Sequence, residues 1–210
     1  GICSPVCKYS RTVTRIDELP FVLKDAISAG ISERPGPVHL TIPIDVLESD
    51  VPSAGPTRVE STPSPPPSPI AVKRAAGLLE KSERPLIVAG SGLSRERGWE
   101  SLKRFSERFQ VPFVVPIWDR GCVEEKHENF LGVVGAASGE PPFLSEADLI
   151  ILAGADPDYR VGFLEPPKVD RNASTIRVDP DPCMLRQGHR VSLSVQSSPC
   201  LLYTSPSPRD

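Results

Sequence analysis

The chain lacks any run of the roughly 20 apolar residues that a membrane span requires, and its amino terminus carries no basic segment leading into a hydrophobic core. It also lacks a block of lysine and arginine. With 24 basic and 27 acidic residues and a formal charge of -3, nothing is present to neutralise a run of phosphates, so neither nucleic acid nor an anionic membrane is expected as a partner. These absences lead to the expectation of a soluble, cytoplasmic protein. The five cysteines form no zinc pattern: Cys3 and Cys7 are spaced C-x3-C with no histidine to complete a site, and no metal ligand is assigned. No nucleophile stands in an elbow motif. His39, His127 and His189 are far apart in sequence, so no catalytic residue is assigned either.

What is present is punctuation. Twenty-five prolines exceed the average of about 5% and cluster between elements, most densely in Ser61-Thr62-Pro63-Ser64-Pro65-Pro66-Pro67-Ser68-Pro69. That stretch reads as an extended spacer closing a linker over 51–69. Before it, Pro20, Phe21, Val22, Ala26 and Ile27 suggest a helix ending at Gly30, followed by a strand over Val38-His39-Leu40-Thr41-Ile42 closed by Pro43. One helix and one strand cannot enclose a core, so residues 1–50 are expected to belong to a sheet with further strands. Residues 1–15 carry little periodic signal, and the chain opens on Gly1, as an internal piece of a longer protein would.

After the linker the pattern becomes regular. Helical spacing of Ala71, Ala75, Leu78 and Leu79 leads into the apolar run Leu86-Ile87-Val88-Ala89, which stops at Gly90-Ser91-Gly92. Ser94 then caps a helix with Trp99, Leu102, Phe105 and Phe109 on its core face. Further strands are expected at 111–115, 149–153, 175–178 and 191–195, and Asn129-Phe130-Leu131-Gly132 is read as opening a helix near the ligand crevice. Buried apolar runs alternating with helices define a doubly wound parallel sheet of the Rossmann-like kind over 70–198, with a partial α/β segment before it. Residues 199–210 show no pattern suited to folding and are set apart as an artefactual tail.

Several residues fall where such sheets bind ligands. Gly90 and Gly92 follow a strand and can offer amides to a phosphate, although Arg95 stands where a dinucleotide fingerprint has its third glycine. A turn without a ligand explains them equally. Arg160, beyond the strand at 149–153, can pair with phosphate through its planar fork or make a salt bridge. Asp179 ends a strand and can accept from a ribose or organise a turn with Pro180. The glycines and strands by themselves also suit a self-contained nucleotide-binding module of the deacetylase or electron-transfer-flavoprotein kind.

The segment Arg34-Pro35-Gly36-Pro37-Val38-His39-Leu40-Thr41-Ile42-Pro43-Ile44-Asp45-Val46-Leu47 resembles the end of the pyrimidine-binding domain in thiamine-diphosphate enzymes of the acetolactate-synthase type. The segments 86–92, 112–121, 132–135, 148–160 and 176–179 are similar to that family's central domain, in the family's order. The resemblance implies thiamine diphosphate and magnesium, a 2-keto acid substrate and a homo-oligomeric parent enzyme. It also implies that the catalytic glutamate and the magnesium site lie in regions not encoded here, so these residues alone are expected to be inactive. In members whose central domain binds FAD, the cofactor lies near the positions of Gly90, Gly92, Gly132, Gly135 and Arg160. Here Asp156-Pro157-Asp158-Tyr159 precedes the arginine and Ala136 follows Gly135, departures that leave FAD, ADP or no ligand as alternatives.

Overall fold

The computed structural model describes residues 1–32, 35–50, 59, 64–95, 98–135, 141–186 and 190–204. They fall into two compact units, 1–63 and 64–210. Most of the proline-rich linker foreseen over 51–69, together with His189, Ala136 and residues 205–210 of the tail, lies outside the described residues.

The first unit contains strand β1 (Tyr9–Thr12), helix α1 (Leu19–Ile31), strand β2 (Val38–Thr41) and the short helix α2 (Ile44–Leu47). β1 and β2 pair in parallel from Tyr9 opposite Val38 to Thr12 opposite Thr41, so the region read as patternless supplies a strand. Its signal is weak because three of its four residues are exposed and no apolar alternation marks them. A small core forms around Val13, Val22 and Val46. Phe21, placed on the core face by its spacing, is 71% exposed; Val22 and Ala26 are the buried positions of α1.

The second unit opens with α3 (Pro69–Lys81), in which Pro69 occupies the first turn and the Ser68 hydroxyl accepts from the Ala71 amide at 3.1 Å. There follow β3 (Pro85–Ala89), α4 (Ser91–Arg95), α5 (Trp99–Phe109), β4 (Phe113–Pro116), β5 (Phe130–Val134), α6 (Phe143–Glu146), β6 (Leu149–Ala153), β7 (Ser174–Asp179), α7 (Pro182–Leu185), β8 (Leu193–Gln196) and α8 (Pro199–Thr204). The six strands form one parallel sheet in the order β5-β4-β3-β6-β7-β8. The chain winds outward from β3 to one edge, returns to β6 beside β3, and winds to the other edge, which is the doubly wound arrangement.

Alternation along the central strands decides which face each residue serves. Ile87, Ala89, Leu149, Ile151, Ile176 and Val178 join the core cluster that α3 and α5 cover. Leu86, Val88, Ile150 and Leu152 join the opposite cluster with Leu144, Val161 and Leu164. Burial on both faces explains why β3 and β6 read as continuous apolar runs and not as alternating ones.

Four expectations change. Residues 130–134 form an edge strand, not a helix opening: β5 pairs with β4, and the register shifts between Phe113 and Val114, with Phe113 opposite Phe130 and Val114 opposite Gly132. Leu131 is the extra residue of this bulge, and Gly132 takes φ +128 there with open space around its Cβ position. Ser94 does not cap the long helix; it belongs to α4, and Gly98 precedes α5. On α5, Trp99 and Phe105 pack on the core as expected, whereas Phe109 is 45% exposed. The tail set apart as unsuited to folding contributes α8, where the Ser198 hydroxyl accepts from the Cys200 amide at 3.2 Å. A serine followed by a first-turn proline is enough to start a helix of this length.

Candidate functional site

In an open doubly wound sheet the ligand crevice lies where the winding reverses, at the carboxyl ends of the two strands flanking the switch. Here those strands are β3 and β6. Gly90-Ser91-Gly92 leaves β3 and Gly154-Ala155 leaves β6, so the expected glycine turn stands at the crevice. The two turns meet there at main-chain distance. The Gly90 amide donates to the Ala153 carbonyl at 2.9 Å and the Gly92 amide to the Gly154 carbonyl at 3.0 Å. A Cβ on Gly90 would stand 2.3 Å from the Gly154 oxygen, and one on Gly92 2.8 Å from Gly154 Cα. Gly154 itself, at φ +65, would carry a Cβ 2.6 Å from the Leu93 nitrogen. The three glycines allow two turns to touch at main-chain distance.

Arg160 is buried at the same edge. Its Nη2 lies 2.8 Å from Asp158 Oδ2 and its Nη1 3.1 Å from Asp119 Oδ2. Its Nε donates to Asp158 at 2.9 and 3.0 Å, and its backbone amide donates to Asp158 Oδ1 at 2.9 Å. Hydrogen bonding to Asp158, reinforced by the charge of Asp119, raises the arginine's pKa above its ordinary value although burial acts in the opposite direction. Asp119 follows β4 and Gly135 follows β5. A Cβ on Gly135, which has φ +84, would lie 2.8 Å from Arg160 Cβ. The segment after β6 therefore reaches the ends of β4 and β5, where Trp118 Nε1 also donates to the Tyr159 hydroxyl at 2.7 Å.

Asp179 is buried at the end of β7, and its Oδ1 accepts from the Asp181 amide at 2.9 Å, a local turn around Pro180. Of the six residues singled out in the sequence, Gly90, Gly92, Gly135 and Arg160 lie in the packed joints at the carboxyl edge. Gly132 serves the β5 bulge and Asp179 its own turn.

The sequence reading missed three participants. Asp119 is the second carboxylate on Arg160, and Gly154 completes the glycine contact. Arg177 is 1% exposed in the middle of β7, hydrogen-bonded to the Met184 carbonyl, with Nη2 3.7 Å from Asp156. An arginine inside a buried apolar run was the available signal for the last. Cys122, beside this edge, donates to the Ala89 carbonyl at 3.5 Å; burial, with the charge of Asp119 adding, pushes its thiol up to about 12. At the opposite edge the Asp148 carboxylate accepts from the Ser82 hydroxyl and from the Glu83 and Arg84 amides at 2.8 and 3.1 Å, tying α3 and β3 to β6. His127 is equally structural. Its Nδ1 accepts from the Asn129 amide at 3.2 Å, its Nε2 lies 3.2 Å from Glu107, and its ring packs 5.7 Å from Trp99 and 5.5 Å from Phe113.

Fold and site together define a Rossmann-like, doubly wound parallel domain whose carboxyl edge is organised by glycine contacts and a buried arginine. Residues 72–202 match the family described as thiamine pyrophosphate enzyme, central domain, and the chain belongs to that family. It is 32% identical over 181 residues to 2-hydroxyacyl-CoA lyase 1 of Dictyostelium discoideum, covering 83% of this chain and 30% of the relative. It is 28% identical over 204 residues to a probable acetolactate synthase large subunit of Methanococcus aeolicus, covering 93% of this chain and 34% of that one. The structure of benzoylformate decarboxylase from Polynucleobacter necessarius superposes with a TM-score of 0.77 at 25% identity, over 94% of this chain and 37% of that one. The chain thus spans about a third of the length of the relatives it matches. Among the described residues no helix is long and apolar enough to cross a membrane.

Proposed function

We propose that this chain is the supporting middle layer of a thiamine-diphosphate-dependent decarboxylase or synthase that acts on a 2-keto acid in the cytoplasm as a homo-oligomer. The observation that carries the reading is the match of 72–202 to the thiamine enzyme central domain, placed after a segment similar to the end of a pyrimidine-binding domain. When bound in the parent enzyme, thiamine diphosphate supplies the electron sink that lets carbon dioxide leave a 2-keto acid. Among the described residues no three His, Cys, Asp or Glu side chains are grouped to hold a metal, and the resemblance assigns the magnesium that accompanies thiamine diphosphate to regions outside this sequence. No step through magnesium is therefore assigned to this chain.

Its own residues have a mechanical task. The Gly90–Gly154 contact and the Arg160 ion pairs join the segments after β3, β4, β5 and β6 into one rigid edge, against which reactive domains can be held in register. The test is turnover by the purified chain supplied with pyruvate, thiamine diphosphate and magnesium. The expected result is neither decarboxylation nor carboligation; sustained release of carbon dioxide would contradict the assignment of the reactive groups to other regions.

A further inference from the structure

We propose that Ser68 is a phosphorylation site, modified by a protein kinase that requires proline after the acceptor, and that the phosphate clamps the first turn of α3. Within the proline-rich spacer a hydroxyl residue precedes proline at Thr62, Ser64 and Ser68, and the same pair recurs at Ser4, Ser198, Ser205 and Ser207. Two of these, Ser68 and Ser198, open a helix in the same way. Each stands before a first-turn proline, and the hydroxyls accept from the Ala71 amide at 3.1 Å and the Cys200 amide at 3.2 Å. Exposure separates them. Ser198 is 5% exposed and closed to an enzyme, whereas Ser68 lies on the surface with Pro65, Pro66, Pro69 and Ile70 exposed around it.

The Ser68 backbone, at φ -67 and ψ 142, already has the extended polyproline form in which a peptide lies along a kinase cleft. The residues that follow can join it there. No residue of α3 is buried and Ile70 is 74% exposed, so opening the first turn uncovers little apolar surface, and Pro69 has no amide to lose. In the transfer the Ser68 Oγ bonds to the γ-phosphorus of ATP as the bond to the ADP oxygen breaks, and the hydroxyl proton passes to the kinase's catalytic carboxylate. The products are a phosphoserine ester and ADP. The phosphate adds a charge of about -2 and three acceptor oxygens to a helix with no acidic residue in its first turn. The first charged side chains of α3 are both cations, Lys73 and Arg74. A phosphate oxygen takes over the Ala71 amide as a charge-assisted bond. Because α3 carries Ala71, Ala75, Leu78 and Leu79 against the sheet, holding its first turn holds the cover of that core face.

The test needs no thiamine diphosphate, so its outcome leaves the thiamine reading untouched. The 210-residue chain is incubated with magnesium, ATP and a purified proline-directed kinase, beside a free Ser-Pro peptide that checks the enzyme. Peptide mapping by mass spectrometry locates the phosphate. Tryptophan emission gives the melting temperature of the second unit, which holds Trp99 and Trp118. The expected result is phosphate on Ser68 and not on Ser198, with the melting temperature raised by about 2–4 °C and no such rise in Ser68→Ala after the same treatment. Phosphate absent from Ser68 while the peptide is modified overturns the proposal, as does phosphate on Ser68 that leaves the melting temperature unmoved or lowered. An equal rise in Ser68→Ala, or phosphate on Ser198, overturns it too, because the effect would then come from another site or exposure would not select the acceptor. The melts of the parent chain before and after treatment decide the matter even if the variant does not fold.

Discussion

Replacing Gly90 by alanine tests the central packing claim directly. The added methyl would sit 2.3 Å from the Gly154 oxygen and 2.4 Å from Ala155 Cα, where a carbon to oxygen contact normally needs about 3.3 Å or more. One turn must therefore move by about 1 Å relative to the other. It cannot do so freely, because β3 and β6 are paired at five consecutive positions, from Pro85 opposite Leu149 to Ala89 opposite Ala153. Moving the turn breaks or lengthens the Gly90 and Gly92 amide bonds, at about 1 kcal/mol each, and overpacking adds about 1–3 kcal/mol. The sum is about 3–5 kcal/mol, which for a domain of this size lowers the melting temperature by roughly 6–20 °C. Both tryptophans of the chain, Trp99 and Trp118, lie in the second unit, so thermal unfolding followed by tryptophan emission reads that unit alone. Gly77→Ala is the matched control: it lies inside α3 with no atom within 4 Å of its Cβ position and is expected to stabilise by about 1 kcal/mol. A Gly90→Ala chain that melts within about 2 °C of the parent, beside a stabilised Gly77→Ala chain, would refute the claim that the two turns meet at main-chain distance.

Other outcomes follow from the same geometry. Asp148 is disfavoured as a charge by burial, yet the donors on Ser82, Glu83 and Arg84 outweigh this and hold its pKa below the ordinary 3.8. Its depressed folded-state value stabilises the fold above the unfolded pKa, and that contribution is lost as pH falls through the lower folded value; acid melts below about pH 4 should show a smaller decline for Asp148→Asn than for the parent. Arg177→Leu removes the bond to the Met184 carbonyl and the partner of Asp156, and should cost about 2 kcal/mol in urea unfolding, with an unchanged midpoint refuting an anchoring role. Dithionitrobenzoate at pH near 8 should label exposed Cys183 in the native chain but not Cys122, whose thiol is buried and pushed up to about 12; rapid native labelling of Cys122, located by peptide mapping, would show that this edge opens.

Much of the architecture was legible because it depends on local pattern. β3, β6 and β7 are buried on both faces, so their sequences must be apolar nearly throughout, and a glycine or aspartate must mark where each leaves the sheet. The amino-acid order by itself therefore determined five of the six strands of the second unit's sheet, the doubly wound class and the location of the glycine turn. β1 and β5 were hidden for a common reason: each is short and its extended state is chosen by a neighbour, Val38–Thr41 for β1 and Phe113–Pro116 for β5, while glycine inside β5 mimics a loop. The candidate site was legible by residue and not by state. Gly90, Gly92 and Arg160 stand at the predicted edge, but whether their donors face a ligand or the protein depends on Gly154, Asp119 and Gly135, which arrive from other segments. Only the tertiary structure decided that, because hydrogen bonds, charge pairing and the exclusion of a methyl group are set by distances between segments that sequence spacing does not constrain.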